Sequence, residues 1–214
     1  MEDSDKKIIS WWKQKREEIE GRLEDFERVG SEPKERIFEE LCFCLLTPQS
    51  SALCADRAIR HLSRTGLLGS GTPEEIEKVV SGCGILYANN KSRYIVEARS
   101  KLMSENPEIE LSSILVRDGF EARERLVKNV KGLGYKEASH FLRNIGYKGL
   151  AILDRHILRT MCQSGVIEEI PKTLTKRRYL DIETKFLSYS ERIGVPPDAL
   201  DLVMWSGKTG RVFK

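Results

Sequence analysis

The chain has 214 residues, of which 40% are hydrophobic and 32% charged, a size that suits one large domain or two small ones. Apolar residues are spread along the whole sequence, which argues against a disordered chain, and no apolar run approaches the roughly 20 residues of a membrane span. The polar start at residues 1–7 argues against a signal peptide. The net charge of +3 is too small to indicate a partner by itself.

The spacing of apolar residues predicts helices along the whole chain, and no stretch alternates for long enough to require a strand. Thr72-Pro73-Glu74-Glu75 is a capping box with Pro at the first helical position, which marks one helix start. We therefore predict an all-α fold of about ten short helices. In chain order the predicted helices are 8–28, 33–46, a segment from the break at 47–51 to about 63, 73–80, 91–103, 120–130, 135–145, 154–162, 176–192 and 197–205.

Gly132 and Gly134 separate two predicted helices in a Gly-x-Gly turn. Glycine allows backbone conformations that other residues avoid, and such a turn leaves N–H groups of the following helix free to bind a phosphate. The surrounding window 125–160 has eight basic and two acidic residues, a net charge of +6, which indicates an anionic partner nearby. An ordinary helix end with a solvated basic face explains both features as well.

Lys136 and Asp154 are the residues most suited to chemistry. Lys136 lies in the first turn of its predicted helix, where the helix dipole disfavours a cation, and a nucleophilic amine must lose its proton. Asp154 follows the apolar triplet 151–153 and begins the next helix, so it suits an N-cap as well as a catalytic carboxylate. Taken alone, each residue has a structural explanation, as an exposed lysine near a turn and as a helix cap.

Together these residues form a more specific pattern. Gly132-Leu133-Gly134-Tyr135-Lys136 followed by Leu153-Asp154-Arg155-His156 resembles the helix-hairpin-helix DNA glycosylase superfamily of the endonuclease III type. Leu45-Leu46-Thr47-Pro48-Gln49-Ser50 is similar to the DNA-intruding loop of that family, and the resemblance covers about residues 31–161. It implies a helix-hairpin-helix glycosylase fold of two helical subdomains with the active-site cleft between them. One subdomain would comprise 1–30 and 146–214, and the other, a helical barrel that ends in the hairpin, 31–145.

Two features favour one branch of this superfamily. Endonuclease III enzymes usually end in four cysteines that hold an iron–sulfur cluster, whereas this sequence has no cysteine after Cys162, so no cluster is expected. The segment from Trp205 to Lys214 resembles the end of the compact archaeal-type 8-oxoguanine DNA glycosylase/AP lyases. The odd number of cysteines, mostly in apolar stretches, argues against disulfides and favours the cytosol. Abundant Glu, Lys and Arg with little Gln is typical of thermophiles.

The resemblance implies a role for each candidate residue. Lys136 would attack C1′ of the sugar as a neutral amine and form a Schiff base, after which β-elimination nicks the strand. Asp154 would stabilise the positive charge that develops on the sugar. The residues expected to bind DNA are Gln49, Lys131, Gly132, Gly134 and His140. Those expected to recognise the base are Trp205, Lys214 through its carboxylate, and Leu86. The backbone carbonyls of Lys128, Val130 and Leu133 correspond to a monovalent-cation site.

The implied function is base-excision repair, in which the enzyme removes 8-oxoguanine from duplex DNA and nicks the strand. No cofactor would be required apart from the structural monovalent cation, and the partner would be double-stranded DNA that contains oxidised guanine. We expect a monomer without membrane attachment, in the cytoplasm at the nucleoid of a prokaryotic thermophile. His156 is expected to be structural, and no cluster has the spacing of a zinc site.

Two alternatives stay open. A glycosylase/lyase for oxidised pyrimidines would share the hairpin, Lys136 and Asp154, so only the resemblance near the C-terminus favours oxidised guanine. A non-catalytic helix-hairpin-helix module also binds phosphate through such a turn. It would have no need of Lys136 together with Asp154.

Overall fold

The computed structural model describes residues 3–104 and 110–214, and over these residues the chain is helical without a strand. The predicted all-α class is confirmed. The described part contains two short helices that the sequence did not predict, Leu67–Ser70 and Leu111–Ile114. The helices are α1 (Asp3–Gly30), α2 (Lys34–Leu46), α3 (Ala52–Arg64), α4 (Leu67–Ser70), α5 (Pro73–Gly82), α6 (Ala88–Leu102), α7 (Leu111–Ile114), α8 (Gly119–Asn129), α9 (Tyr135–Asn144), α10 (Arg155–Gln163), α11 (Lys176–Ile193) and α12 (Pro197–Thr209).

Helix ends agree with the sequence where a local hydrogen bond fixes them. The backbone N–H of Thr72 donates to the Glu75 carboxylate at 2.8 Å, and the Thr72 hydroxyl accepts from the Glu75 N–H, so the predicted capping box is confirmed. Helix α12 instead continues beyond its predicted end at residue 205 and stops at Gly210, which adopts a left-handed conformation with φ 76°. The helix extends beyond its last apolar residue, because the glycine C-cap, rather than the apolar pattern, determines where α12 ends.

The backbone divides into two compact units, which we call the terminal unit (Met1–Arg28 with Leu142–Lys214) and the central unit (Val29–Phe141). Both divisions fall inside helices, α1 and α9. The divisions that the family resemblance implies, at 30/31 and 145/146, follow the ends of the same two helices.

Helix α2 forms the core of the central unit. From Phe38 to Leu46 every residue except Glu39 is buried, and α3, α6 and α7 pack against this helix. The buried carboxylate of Glu40 has the Arg36 guanidinium 3.3 Å away, one turn earlier on the same helix. A helix that is apolar around most of its circumference must be covered on several sides, which explains its central position in this unit.

Helices α10 and α11 pack against α12 in the terminal unit. Helix α1 is joined to α11 by Asp5, whose fully buried carboxylate accepts hydrogen bonds from the Tyr189 hydroxyl at 3.0 Å and from Arg192 Nη1 at 2.9 Å. Burial, as the main cause, raises the pKa of Tyr189 to about 12, so this phenol stays a donor at physiological pH. The buried charge of Asp5 is thus compensated by two donors.

A second buried ion pair of the terminal unit joins α9 to α12. Arg143 Nη2 lies 3.2 Å from Asp201 Oδ2, and the guanidinium also stacks on the ring of Phe26, 4.8 Å from its centroid. Burial raises the pKa of Asp201 to about 6, and the Arg143 charge opposes that rise without cancelling it. Asp201 therefore takes up its proton at a higher pH in the folded chain than in the unfolded chain.

This difference predicts a pH-dependent stability. Between the unfolded pKa of about 4 and the folded pKa of about 6, the free energy of unfolding should fall as pH rises. The slope should reach at most about 1.4 kcal/mol per pH unit. Urea denaturation of the wild type and of Asp201→Asn at a series of pH values checks this. The difference between the two free energies should change across the window and be constant above it; parallel curves would contradict the assignment.

Candidate active site

The hairpin of the central unit lies between α8, which ends at Asn129, and α9, which begins at Tyr135. Gly132 adopts a left-handed conformation with φ +86°, which favours glycine. The Leu133 N–H donates to the Val130 carbonyl at 3.2 Å, and the Leu133 side chain is buried, so the turn is closed and anchored. The first N–H groups of α9, which lack partners within a helix, follow directly.

Tyr94 explains why the first glycine has no side chain. A Cβ added to Gly132 would lie 2.4 Å from Tyr94 Cδ2, far inside van der Waals contact, so the backbone of the hairpin rests on the tyrosine ring. The Lys131 amine lies 5.7 Å from the centroid of the same ring. The ring thus supports both the turn and the exposed cation beside it.

Substitution of Gly132 by Ala should therefore have two effects. The left-handed backbone costs about 1–3 kcal/mol with a side chain present, and the Tyr94 ring must also move. We expect reduced stability in urea denaturation and weaker binding of undamaged duplex DNA by fluorescence anisotropy. Gly149→Ala is the matched control, because Gly149 has φ +78° but open space where its Cβ would lie. If both substitutions cost the same stability, Tyr94 does not support the turn.

Lys136 lies in the first turn of α9, as predicted, and its side chain is 24% exposed. Its amine lies 2.9 Å from Oε1 of Glu137, whose side chain is only 14% exposed. The amine is thus partly shielded from solvent and has a carboxylate that can hold its proton. Sequence reasoning did not single out Glu137, although an acid next to the candidate amine in a first turn is a visible signal.

Asp154 belongs to the terminal unit and uses both of its carboxylate oxygens. Oδ1 accepts from the N–H groups of His156 at 2.7 Å and Ile157 at 2.8 Å, so Asp154 caps α10 as the sequence allowed. Oδ2 accepts from the indole Nε1 of Trp205 at 2.8 Å. The cap fixes the position of the carboxylate, and the second oxygen faces the Trp205 side chain.

Trp205 joins this cluster through its ring as well as its N–H. The ring meets that of His156 edge to face, with centroids 4.7 Å apart, and is itself 38% exposed. An exposed face on a large aromatic ring suits stacking with a flat ligand. His156, which the sequence assigned to structure, therefore contacts two of the candidate site residues.

In the central unit, Ser50 links the loop that contains Gln49 to the segment that contains Leu86. The Leu86 N–H donates to the Ser50 hydroxyl at 3.0 Å, which brings the loop of Gln49 to the segment of Leu86. Both candidate side chains are exposed. Gln49, with φ 55°, and Tyr87, with φ 58°, both adopt the left-handed conformation that side chains seldom take.

His140 is buried in the central unit, with 7% of its surface exposed, and its ring meets that of Phe43 edge to face at 5.8 Å. This burial favours a role in packing, so its contact with DNA stays a prediction that the geometry does not favour. Lys214 is partly exposed near the end of α12, where the Lys15 amine donates to the Gly210 carbonyl at 2.8 Å. Helix α1 thus supports the last segment of the chain.

No group of three or more His, Cys, Asp or Glu side chains within residues 3–104 and 110–214 could hold a metal ion. Within the same ranges, no helix combines the length and the apolar character needed to cross a bilayer.

Comparison with known proteins gives consistent matches. A family model described as 8-oxoguanine DNA glycosylase matches residues 19–195. An 8-oxoguanine DNA glycosylase/AP lyase of Fusobacterium nucleatum is 43% identical over 202 residues, which cover 90% of this chain and 89% of that protein. A protein of the same description from Korarchaeum cryptofilum is 45% identical over 203 residues, covering 93% and 91%.

A solved structure is similar over almost the whole fold. The crystal structure of the Methanocaldococcus jannaschii 8-oxoguanine glycosylase/lyase, in complex with a 15mer DNA containing 8-oxoguanine, superposes with a TM-score of 0.88 at 36% identity. The match covers 98% of this chain and 99% of that one.

Proposed function

This chain belongs to the 8-oxoguanine DNA glycosylase family, and we propose on that basis that it removes 8-oxoguanine from double-stranded DNA and then nicks the strand by β-elimination. The observation that carries the proposal is the partly shielded amine of Lys136, which lies in the first helical turn after the glycine hairpin. The family model matches residues 19–195, which include this hairpin. A related structure contains DNA with 8-oxoguanine, which supports the same substrate.

The reaction begins when the damaged nucleotide leaves the stack, because its glycosidic bond is inaccessible inside a duplex. Gln49 fills the gap that the base leaves. The N–H groups after Gly132 and Gly134 bind a phosphate of the strand, with Lys131 adding charge. These contacts to the backbone carry no sequence information and should weaken with salt.

Lys136 then acts as the nucleophile. Its neutral amine attacks C1′, the glycosidic bond breaks, and the base leaves with the bonding electrons and takes up a proton. Ring opening gives an imine between Lys136 and C1′, loss of the C2′ proton expels the 3′ phosphate, and water later frees the amine. Glu137, 2.9 Å from the amine, holds the proton that Lys136 must give up.

Asp154 and Trp205 act as a pair in this proposal. The negative charge of Asp154 stabilises the positive charge that develops on the sugar, and the Trp205 ring stacks on the extruded base. The hydrogen bond from the indole to Oδ2, at 2.8 Å, keeps the carboxylate in a single orientation while the cap holds its other oxygen. Leu86 is the proposed second contact of the base.

The backbone carbonyls of Lys128, Val130 and Leu133 fit a monovalent cation. The last carbonyls of a helix have no partner within it and carry partial negative charge. In the turn, the Val130 carbonyl accepts from the Leu133 N–H at 3.2 Å. A cation bound there would supply positive charge for a DNA phosphate and do no chemistry. The proposed setting is a monomer acting on the chromosome in the cytoplasm.

The function is tested by single-turnover excision from duplexes that contain either 8-oxoguanine or thymine glycol, with borohydride present in a parallel reaction. We expect excision of 8-oxoguanine and a covalent protein–DNA adduct. Preference for thymine glycol would favour the alternative, a glycosylase for oxidised pyrimidines. Binding without excision or adduct would favour a non-catalytic module.

Base recognition is tested in the same assay by deletion of Lys214. We expect slower excision of 8-oxoguanine with nearly unchanged affinity for undamaged duplex, because the residue is proposed to contact only the base. Unchanged excision would remove Lys214 from the site.

A further inference from the structure

We propose that Lys91 is a positioning residue whose ammonium group holds the Gln49 loop and, through Ser50, the Leu86 segment in the arrangement that engages duplex DNA. The inference deepens the proposed function and rests on it. Lys91 lies on α6 and is only 5% exposed. None of the motifs identified in the sequence includes it.

The amine of Lys91 is enclosed by a single loop. Nζ donates to the carbonyl of Leu46 at 2.8 Å, to the carbonyl of Pro48 at 2.7 Å and to the hydroxyl of Ser50 at 3.1 Å. An ammonium group has three N–H donors, and the loop supplies an acceptor for each. Leu46 is the last residue of α2, whose final carbonyls have no partner within the helix, so Lys91 also caps α2.

Ser50 extends this arrangement to a second segment. Its hydroxyl accepts from the Leu86 N–H at 3.0 Å as well as from Lys91, so one hydroxyl joins both. Gln49 and Tyr87, on either side of this junction, have left-handed backbones. Such strained conformations persist only where the surroundings fix them, and the contacts of Lys91 and Ser50 provide that fixation.

The charge of Lys91 indicates a specific role rather than space filling. Burial, with a smaller contribution from the nearby charge of Lys136, lowers the pKa of its amine to about 8, and the charge of Glu137 opposes this shift. A buried cation is unfavourable unless it is hydrogen-bonded, and an apolar side chain would fill the same volume while leaving the loop carbonyls without a donor.

The test separates loop positioning from chemistry by using two substrates. Excision of 8-oxoguanine from a duplex requires base extrusion and gap filling, whereas β-elimination at an abasic site in single-stranded DNA requires neither. We expect Lys91→Met to slow single-turnover excision from the duplex roughly 10- to 100-fold. The rate at the single-stranded abasic site should stay within about threefold of wild type. Lys101→Met is the matched control on the same helix, since the Lys101 side chain is 44% exposed and its amine pairs with Glu97 one turn earlier on α6. It should leave both rates unchanged.

Ser50→Ala keeps the Lys91 cation and removes the hydroxyl that joins the two segments. It therefore tests the positioning role even if Lys91→Met does not fold. It should reproduce the selective loss on the duplex in milder form. In a double-mutant cycle, adding Gln49→Ala to Lys91→Met should slow duplex excision no further than Lys91→Met alone, because both act through one loop.

Equal losses on both substrates, or fully additive effects in the cycle, would overturn the positioning role. Failure of the proposed function itself would appear differently, as a wild-type protein that neither excises 8-oxoguanine nor nicks the abasic strand.

Discussion

Substitution of Lys136 by Gln should abolish the borohydride-trapped adduct and strand cleavage, and should reduce 8-oxoguanine excision by at least about 10⁴-fold. An amide nitrogen cannot attack C1′ or form an imine. The side chain lies at a partly exposed first-turn position, and Gln is a good helix former, so stability should change by no more than about 0.5 kcal/mol. Gel analysis of borohydride reactions on an 8-oxoguanine duplex, with thermal unfolding alongside, measures both effects.

Lys131→Gln is the control for this prediction. Lys131 is 64% exposed at the hairpin, and its amine lies 3.9 Å from Oε2 of Glu97 and 5.7 Å from the centroid of the Tyr94 ring. Loss of this charge should weaken DNA binding and reduce by about one the slope of log affinity against log salt concentration. The adduct should still form at saturating protein. An adduct that persists in Lys136→Gln and maps to another lysine would reassign the nucleophile.

Substitution of Asp154 by Asn should separate its electrostatic role from its structural role. Asn caps helices about as well as Asp, so the hydrogen bonds to the N–H groups of α10 are retained. The negative charge is lost, together with the acceptor for the Trp205 indole N–H. We expect single-turnover excision to fall about 10²- to 10³-fold, with a melting temperature close to that of the wild type. Quench-flow excision assays and calorimetry give these two quantities.

Two further variants separate the effect of the charge from the effects of the helix cap and of the Trp205 hydrogen bond. Asp154→Ala removes the cap as well and should cost an additional 0.5–2 kcal/mol or so of stability. Trp205→Phe keeps an aromatic ring for stacking but removes the indole N–H that donates to Oδ2 at 2.8 Å, so it should slow excision by about tenfold, as the loss of one hydrogen bond to a charged group would. A wild-type excision rate in Asp154→Asn would show that the carboxylate charge does not assist the reaction.

Sequence was most informative where a function depends on neighbours along the chain. The capping box at Thr72, the left-handed Gly132 and the N-cap Asp154 each use hydrogen bonds or backbone conformations within a few residues. For the same reason Lys136 could be placed in the first turn of a helix from the hairpin alone. His140 was harder to interpret, because the pattern that puts it one turn after Lys136 does not reveal the Phe43 ring that buries it.

By itself the sequence predicted the helical class and the hairpin and offered Lys136 and Asp154 as the candidate amine and carboxylate, since local propensity, capping and glycine conformation are properties of short segments. Only the tertiary structure decided which distant groups meet them. Trp205 donates to an Asp154 that is 51 residues away, and Lys91 caps a carbonyl 45 residues away. Such contacts depend on how the helices pack. That packing is determined jointly by side chains throughout a unit, so no local sequence pattern predicts the contacts.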